Sequence, residues 1–480
     1  MTHNIKLRSG SGSIDERISS IKKFLSGTDL NPLINFNKND TENFIPSGKD
    51  ENKSGESYDT RIILNKKYFQ FIDIITQIGG KLMYIKSGTT GHTFKGNVDD
   101  DNKSYGVKVS AYPKKEHYGD VYDIRRPENA EISMLRLLSY FVVNKLTPHI
   151  VLPIGTFDTN IDVFVDLIKK NVVDSDNKKY KEFIQLYNEG KYHNTVSILI
   201  SEWANRGDLL DFIRKNYKQF TPMHWKAIFF QILSVMAVIQ SKYPSFRHND
   251  LKANNILIHR TTSKNERFTY TVANRMYKVY NIHYCIKIWD FDFACIPGIV
   301  DNRKVKKDEK WNKKINVTPE QNRYYDIHYF FNTLIKKGFC PEIMTSSKVD
   351  QETKDFINRV VPLKYQEIDT KYVTDKGRIK INDEYTIPDD VLKNDPYFEE
   401  FRNKKKEIKN KEIKEKEIKN KEIKKSIPDL SKFLISESNN DNIKNNEYHN
   451  KKSEEMLNPT INLKRKKNSK RSRTVSDSSN

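Results

Sequence analysis

Two acid-bearing segments constrain this chain more than anything else in it. "RHNDLKANNILI", residues 247–258, places Asp250, Lys252 and Asn255 in the lead-in to an apolar run. "IKIWDFDFA", residues 286–294, delivers Asp290 from the end of a second apolar run. Either segment alone reads equally as a solvated turn beside a buried strand. In a loop, however, the Asp250–Lys252–Asn255 spacing can aim one carboxylate at a hydroxyl while an amide oxygen reaches a metal ion. That loop followed by a strand-borne acid is a much rarer combination.

The surrounding pattern gives the pair a setting. Short runs rich in aromatic and branched residues come first: "YFQFIDII", "KLMYIKSG", the stretch from Gly91 to Gly96, and "SYGVKVSAY", separated by Gly and Asn/Asp turns. "PENAEISMLRLLSYFVV" then has helical spacing, with Ile132, Leu135, Leu138 and Val142 in phase. "HIVLPIGTF" and "TVSILISEW" read as two more strands, and the charged stretch 158–194 between them as a surface excursion. Beyond "GDLLDFIRKN" the pattern turns helical. Its strongest helix is "TPMHWKAIFFQILSVMAVIQSKY", with Thr221 as cap and Pro222 in the first turn. Strands first and helices later predict an α+β chain, a β-rich small lobe on an α-rich large lobe.

With these elements in order, the chain resembles the protein-kinase superfamily. "HNDLKANNIL" is similar to the catalytic loop H-R-D-L-x-x-x-N, and "WDFDFA" to the D-F-G element. "IKSGTTGHTFKG" resembles the glycine-rich phosphate loop, with Gly88 and Gly91 at its second and third glycine positions and Lys86 and Thr93 replacing the first glycine and the valine. "YGVKVS" resembles V-A-I-K and puts Lys108 on the third strand, and Glu131 is its expected helix partner, with Glu128 a nearby competitor. "ILISEWANRGDLLDFI" resembles the hinge between lobes, with a small gatekeeper, Ser201.

The resemblance implies a two-lobed serine/threonine protein kinase that uses ATP and Mg2+ and acts on protein substrates. Asp250 would orient the acceptor hydroxyl and accept its proton, and Lys252 would neutralise the moving phosphoryl group. Asn255 and Asp290 would hold Mg2+. Lys108 would contact the α- and β-phosphates, main-chain groups of Glu202 and Ala204 the adenine, and Asp208 the ribose. Asp208 reads equally as the N-cap of the helix after it. Glu320 of "TPEQNRYYDIHYFF" would pair with an arginine, and Asp326 would brace the catalytic loop.

The pattern has departures. Asn249 replaces the arginine that reads an activation-loop phosphate, which suggests activity without that phosphate. Asp292 replaces the glycine of D-F-G and restricts the backbone beside Phe291. Aminoglycoside and choline phosphotransferases share "HND" and "DFD" with this chain, but Lys252 favours a protein substrate. A pseudokinase scaffold is the non-enzyme alternative. "HNDLKANNIL", "WDFDFA" and "YYDIHYFF" together look most like divergent protein kinases of large DNA viruses.

The domain kinase-like by this resemblance spans about 61–402, with the small lobe at about 61–202 and the large lobe at about 203–402. Hydrophobic residues make up 36% and charged residues 31%, too polar for a chain packed throughout. Residues 1–60 are expected to be disordered, 403–425 a lone charged helix with Glu–Lys pairs four apart, and 426–480 a disordered basic tail. From residue 401 on, 23 Lys+Arg stand against 12 Asp+Glu, so +11 of the chain's +21 lies there. "KRKKNSKRSR" could contact nucleic acid or an acidic partner, serve as a nuclear-import signal, or simply solubilise. Cys285, Cys295 and Cys340 are too few and scattered for a disulfide frame, and no signal core or membrane span is apparent. An intracellular, cytoplasmic protein is expected, with nuclear or virion association as alternatives.

Overall fold

A computed structural model describes residues 13–36, 59–88, 90–98, 103–305 and 310–402. The charged repeat and basic tail expected at 403–425 and 426–480 lie outside these residues.

The small lobe is one six-stranded sheet, in the order β1-β5-β6-β4-β3-β2. The strands are β1 (Lys67–Tyr68), β2 (Lys81–Ser87), β3 (Gly91–Val98), β4 (Lys103–Pro113), β5 (Pro153–Asn160) and β6 (Tyr192–Glu202). β4 pairs antiparallel with both β3 and β6, which sets Lys108 opposite Thr93 on one side and Leu199 on the other. The sheet packs on α4 (Pro127–Val143), nearly all of whose side chains are buried. Pro127 suits its first turn, where no intrahelical N–H is needed.

Three expectations for the small lobe change. Residues 13–36 are not disordered. They form α1 (Ile14–Leu25), closed by a Ser13–Glu16 capping box, and Ile21, Phe24, Leu30, Leu33 and Ile34 enter the core. A low average hydrophobicity across 1–60 hid this short amphipathic stretch. After α2 (Thr60–Ile63), "YFQFIDII" is mostly helical: it contributes α3 (Phe71–Ile78), burying Phe71, Ile74, Ile75 and Ile78. That 0, 3, 4, 7 spacing is one helix face; aromatic and branched content alone predicts a strand. The stretch 158–194 is not a loose excursion. It carries α5 (Lys178–Asn188), whose Tyr180 and Phe183 pack around the buried His92 of β3. Asn177 also donates to the Tyr84 hydroxyl of β2 at 2.7 Å.

The large lobe is helical around α7 (Pro222–Lys242), with α6 (Leu209–Asn216) before it. α7 is long and apolar enough to cross a membrane, but it is a buried core helix. Two hairpins follow. β7 (Ile256–Arg260) pairs with β10 (Tyr284–Ile288), and between them β8 (Arg267–Val272) and β9 (Arg275–Tyr280) join through Ala273 and Asn274, both at positive φ. Two such residues make a turn whose twist matches the strands. Tyr270 and Tyr277 of this hairpin both lie 5.2 Å from the Phe230 ring of α7. The remaining helices are α8 (Lys310–Ile315), α9 (Tyr325–Leu334), α10 (Glu342–Thr345), α11 (Gln351–Val360), α12 (Leu363–Gln366) and α13 (Pro388–Asn394). α9 is buried from end to end.

Candidate active site

The two lobes meet at a set of charges drawn from distant parts of the chain. Lys108 of β4 donates to Glu131 Oε1 of α4 at 2.6 Å and to Asp290 Oδ1 at 2.9 Å. The Glu128 competitor is used elsewhere, by Arg126 at 3.2 Å. Asp290 follows the end of β10 with φ +66°, a left-handed conformation unusual outside glycine, and 39% of its side chain is exposed. Such strain persists only where surroundings fix it. Here the next residue, Phe291, is fully buried, 5.0 Å from the His248 ring, and His248 Nε2 lies 3.1 Å from the Trp289 carbonyl.

The catalytic-type loop is held from below. Asp326 of α9 accepts from the main-chain amides of His248 (2.8 Å) and Asn249 (2.9 Å), so the expected brace is present. Arg247 ties the loop to Thr318 Oγ1 and to the carbonyls of Asn316 and Glu320. Glu320 itself accepts from Asn382 through its side chain. Asp250 and Asn255 face one another: Asn255 Nδ2 donates to Asp250 Oδ2 at 2.8 Å and to the Asp250 carbonyl at 2.9 Å. Lys252 Nζ lies 3.0 Å from the same Oδ2.

These charges tune one another. The enclosed setting opposes charge on Lys108, but Asp290, Glu131 and Asp292 outweigh it and keep the ammonium protonated. The same enclosure would raise Asp290, yet Lys108 overrides it and holds the carboxyl at about 2. Burial pushes Glu131 up to about 7, against the pull of Lys108.

The donor set suits a hard cation. The amide nitrogen of Asn255 is committed to Asp250, leaving Oδ1 as its metal-type ligand, and Asp290 keeps a second oxygen beyond the one Lys108 takes. Among the described residues no cluster of three His, Cys, Asp or Glu could hold a metal. A site of one acid and one amide fits Mg2+, which commonly completes its shell with phosphate and water oxygens.

The glycine turn and the end of β6 fill in the rest. Gly88 N donates to the Gly91 carbonyl at 2.8 Å. A Cβ at Gly91 would sit 1.8 Å from the Val109 carbonyl oxygen, so only glycine lets β3 approach β4 there. At the end of β6, the Glu202 amide donates to the Leu152 carbonyl at 3.0 Å. Ala204 is buried two residues on. Asp208 is the N-cap of α6, accepting from the Asp211 amide at 2.9 Å.

Two cations escaped the sequence reading. Arg17 of α1 reaches the Glu202 carboxylate (2.5 Å), which also takes Lys287 at 2.8 Å. Arg378, from the segment after α12, contacts Asp250 Oδ1 at 2.5 Å. Both pairs span more than a hundred positions, and no local pattern marks either.

A lysine–glutamate pair joined to a strand-end aspartate, together with a glycine turn and a braced Asp–Lys–Asn loop, defines a protein kinase. Comparison with known proteins agrees. The family model described as "Poxvirus serine/threonine protein kinase" matches residues 120–391, and the chain belongs to that family. It is 46% identical over 397 residues to "Putative serine/threonine-protein kinase R400" of Acanthamoeba polyphaga mimivirus, covering 81% of this chain and 80% of that one. It is 32% identical over 138 residues to "Serine/threonine-protein kinase 2" of Monkeypox virus, and 31% over 138 residues to the same-named protein of Vaccinia virus (strain Western Reserve). Each of these two alignments covers 29% of this chain and 26% of the poxvirus protein. The chain is a serine/threonine protein kinase, a phosphotransferase.

Proposed function

We propose that this kinase transfers the γ-phosphoryl group of ATP, with Mg2+, to serine or threonine hydroxyls of proteins. The observation that carries the reading is the Lys108 junction, 2.6 Å from Glu131 and 2.9 Å from Asp290. A fixed cation beside a strand-end acid supports this reading. Phosphoryl transfer concentrates negative charge on oxygens, and cations positioned beforehand stabilise it without reorganising.

In this reading Lys108 binds the α- and β-phosphates, and Glu131 keeps it aimed. Gly88 and Gly91 let the turn close over the phosphates. The Glu202 carbonyl and Ala204 amide bind the adenine edge, and Asp208 the ribose. Asn255 and Asp290 hold Mg2+, which when bound neutralises the phosphate oxygens. Asp250 orients the acceptor hydroxyl and takes its proton. The hydroxyl oxygen bonds to the γ-phosphorus while the bond to the β,γ-bridging oxygen breaks, and ADP leaves with that electron pair. Lys252 offsets the charge on the group in flight.

The test uses the purified full-length chain with labelled ATP, a mixed protein substrate and a panel of small hydroxyl metabolites, with Mg2+ and with chelator. Label on protein serine and threonine that disappears with chelator is expected. Label only on metabolites would replace this reading with a small-molecule phosphotransferase. Nucleotide binding without transfer to any acceptor would replace it with a scaffold.

A further inference from the structure

Asp250 has a partner that no kinase-like motif in the sequence announces. Arg378 lies in a tight turn: the Thr374 amide donates to the Arg378 carbonyl at 2.8 Å, and the Arg378 amide to Thr374 Oγ1 at 3.0 Å. Gly377 takes φ +81° within the turn, and its carbonyl accepts from Asn332 of α9 at 3.0 Å. The turn is therefore pinned to the same helix whose Asp326 braces the catalytic loop. The Arg378 side chain is buried, and its guanidinium sits 4.0 Å from the Tyr329 ring centroid. It donates to the Tyr325 hydroxyl at 3.0 Å, to the Asn249 carbonyl, and to Asp250 Oδ1 at 2.5 Å.

Every donor at Asp250 then has an assigned oxygen. Oδ1 takes Arg378, and Oδ2 takes Asn255 and Lys252. A carboxylate gripped at both oxygens has little freedom about its χ2 torsion. The Asn249 carbonyl, held by the same guanidinium, fixes the backbone just before it. Asn249 itself has φ +61°, and its neutral amide donates to the Phe293 carbonyl at 3.0 Å. The charge comes instead from a turn 128 positions further along the chain than Asp250.

We propose that Arg378 is a positioning residue for phosphoryl transfer. It fixes the plane of the Asp250 carboxylate toward the acceptor hydroxyl, so the loop is ordered from within the large lobe and needs no added phosphate. The inference rests on the reading of Asp250 as the acceptor-side acid.

Arg378→Met, Arg378→Lys and Asp250→Ala, singly and combined, test it in the full-length chain, with kcat, substrate KM and nucleotide affinity measured for each. Arg378→Met should lower kcat about 10- to 100-fold, the scale of a small misplacement of a reacting group. Nucleotide affinity and substrate KM should stay near those of the unsubstituted chain, and added guanidinium ion should restore part of the rate. In the Asp250→Ala background, Arg378→Met should cost almost nothing further, because residues acting as a unit are not additive. An equal further loss would show that Arg378 merely supports the fold, and faster turnover would show a restraint; either overturns the proposal. If Arg378→Met loses nucleotide binding, Arg378→Lys decides: bound nucleotide with reduced kcat supports the proposal, and full kcat overturns it. Absence of transfer by the unsubstituted chain would strike the underlying reading before Arg378 is touched.

Discussion

Arg17 and Glu202 stand 185 positions apart and form a 2.5 Å ion pair that fastens α1 to the end of β6. Arg17 also donates to the carbonyls of Pro148 and Ile150, and Glu202 also accepts from the Leu152 amide and Lys287. The end of β6, the α4–β5 connection and α1 thus share one buried polar knot. Removing one partner of a buried pair leaves an uncompensated charge, so Arg17→Met should destabilise the chain by on the order of 3 kcal/mol. Urea unfolding of the two proteins at neutral pH checks this. A difference near zero would mean that α1 is only laid against the lobe.

The same knot has a pH signature. Burial alone would raise the Glu202 carboxyl, but Arg17 and Lys287 outweigh it and hold it at about 2. A free glutamate titrates near about 4.3, so the folded state keeps the charged form more strongly than the unfolded state does. This stabilisation, roughly 3 kcal/mol, is fully present above about pH 4.3 and is lost as pH falls toward the folded value. The urea midpoint of the unsubstituted chain should therefore fall toward that of Glu202→Gln across that acid window and hold its lead above it.

The stretch from Asp292 to Val305 carries its own ties. Arg303 donates to Asp123 Oδ2 at 2.5 Å, just before α4, and Lys304 pairs with Asp292. The Arg303 amide also donates to the Arg125 carbonyl at 2.8 Å, so Arg303 ties this stretch to the turn that leads into the helix bearing Glu131, while the Lys304–Asp292 pair holds the stretch to its own start. Phosphatase-treated enzyme should keep its turnover, and Arg303→Ala should lose several-fold in kcat. Dependence of the rate on prior phosphorylation would contradict this account.

Gly91→Ala would force its new Cβ against the Val109 carbonyl. Overpacking of this kind costs about 1–3 kcal/mol, and here it should also push the glycine turn off the nucleotide. Thermal unfolding and nucleotide titration should both register the change.

Much of this was legible in the sequence because kinase-type chemistry leaves short local signatures. Asp250, Lys252 and Asn255 lie within six residues, Asp290 ends an apolar run, and Lys108 sits in an alternating strand. Their order along the chain sufficed to place two lobes. What stayed hidden was either non-local or averaged away. The Arg17 and Arg378 pairs depend on contacts across more than a hundred positions. α1 was lost in a polar composition, although its capping box and the buried Ile21 and Phe24 were there to be read. α3 was mistaken because Phe and Ile favour strands, while its spacing was that of a helix.

Asp290→Asn tests the metal assignment separately. It removes a carboxylate oxygen ligand while leaving a side chain of the same shape. The Mg2+ concentration giving half-maximal turnover should rise roughly tenfold or more, with saturating Mg2+ recovering part of the rate. An unchanged Mg2+ dependence would place the cation elsewhere.

The most direct test compares phosphoryl transfer and nucleotide binding in the same preparation of Asp250→Ala and the unsubstituted chain. Transfer should fall by about 100-fold or more, the scale of losing a positioned proton acceptor, while ATP affinity stays unchanged. Near-normal turnover by Asp250→Ala would contradict the account at its centre.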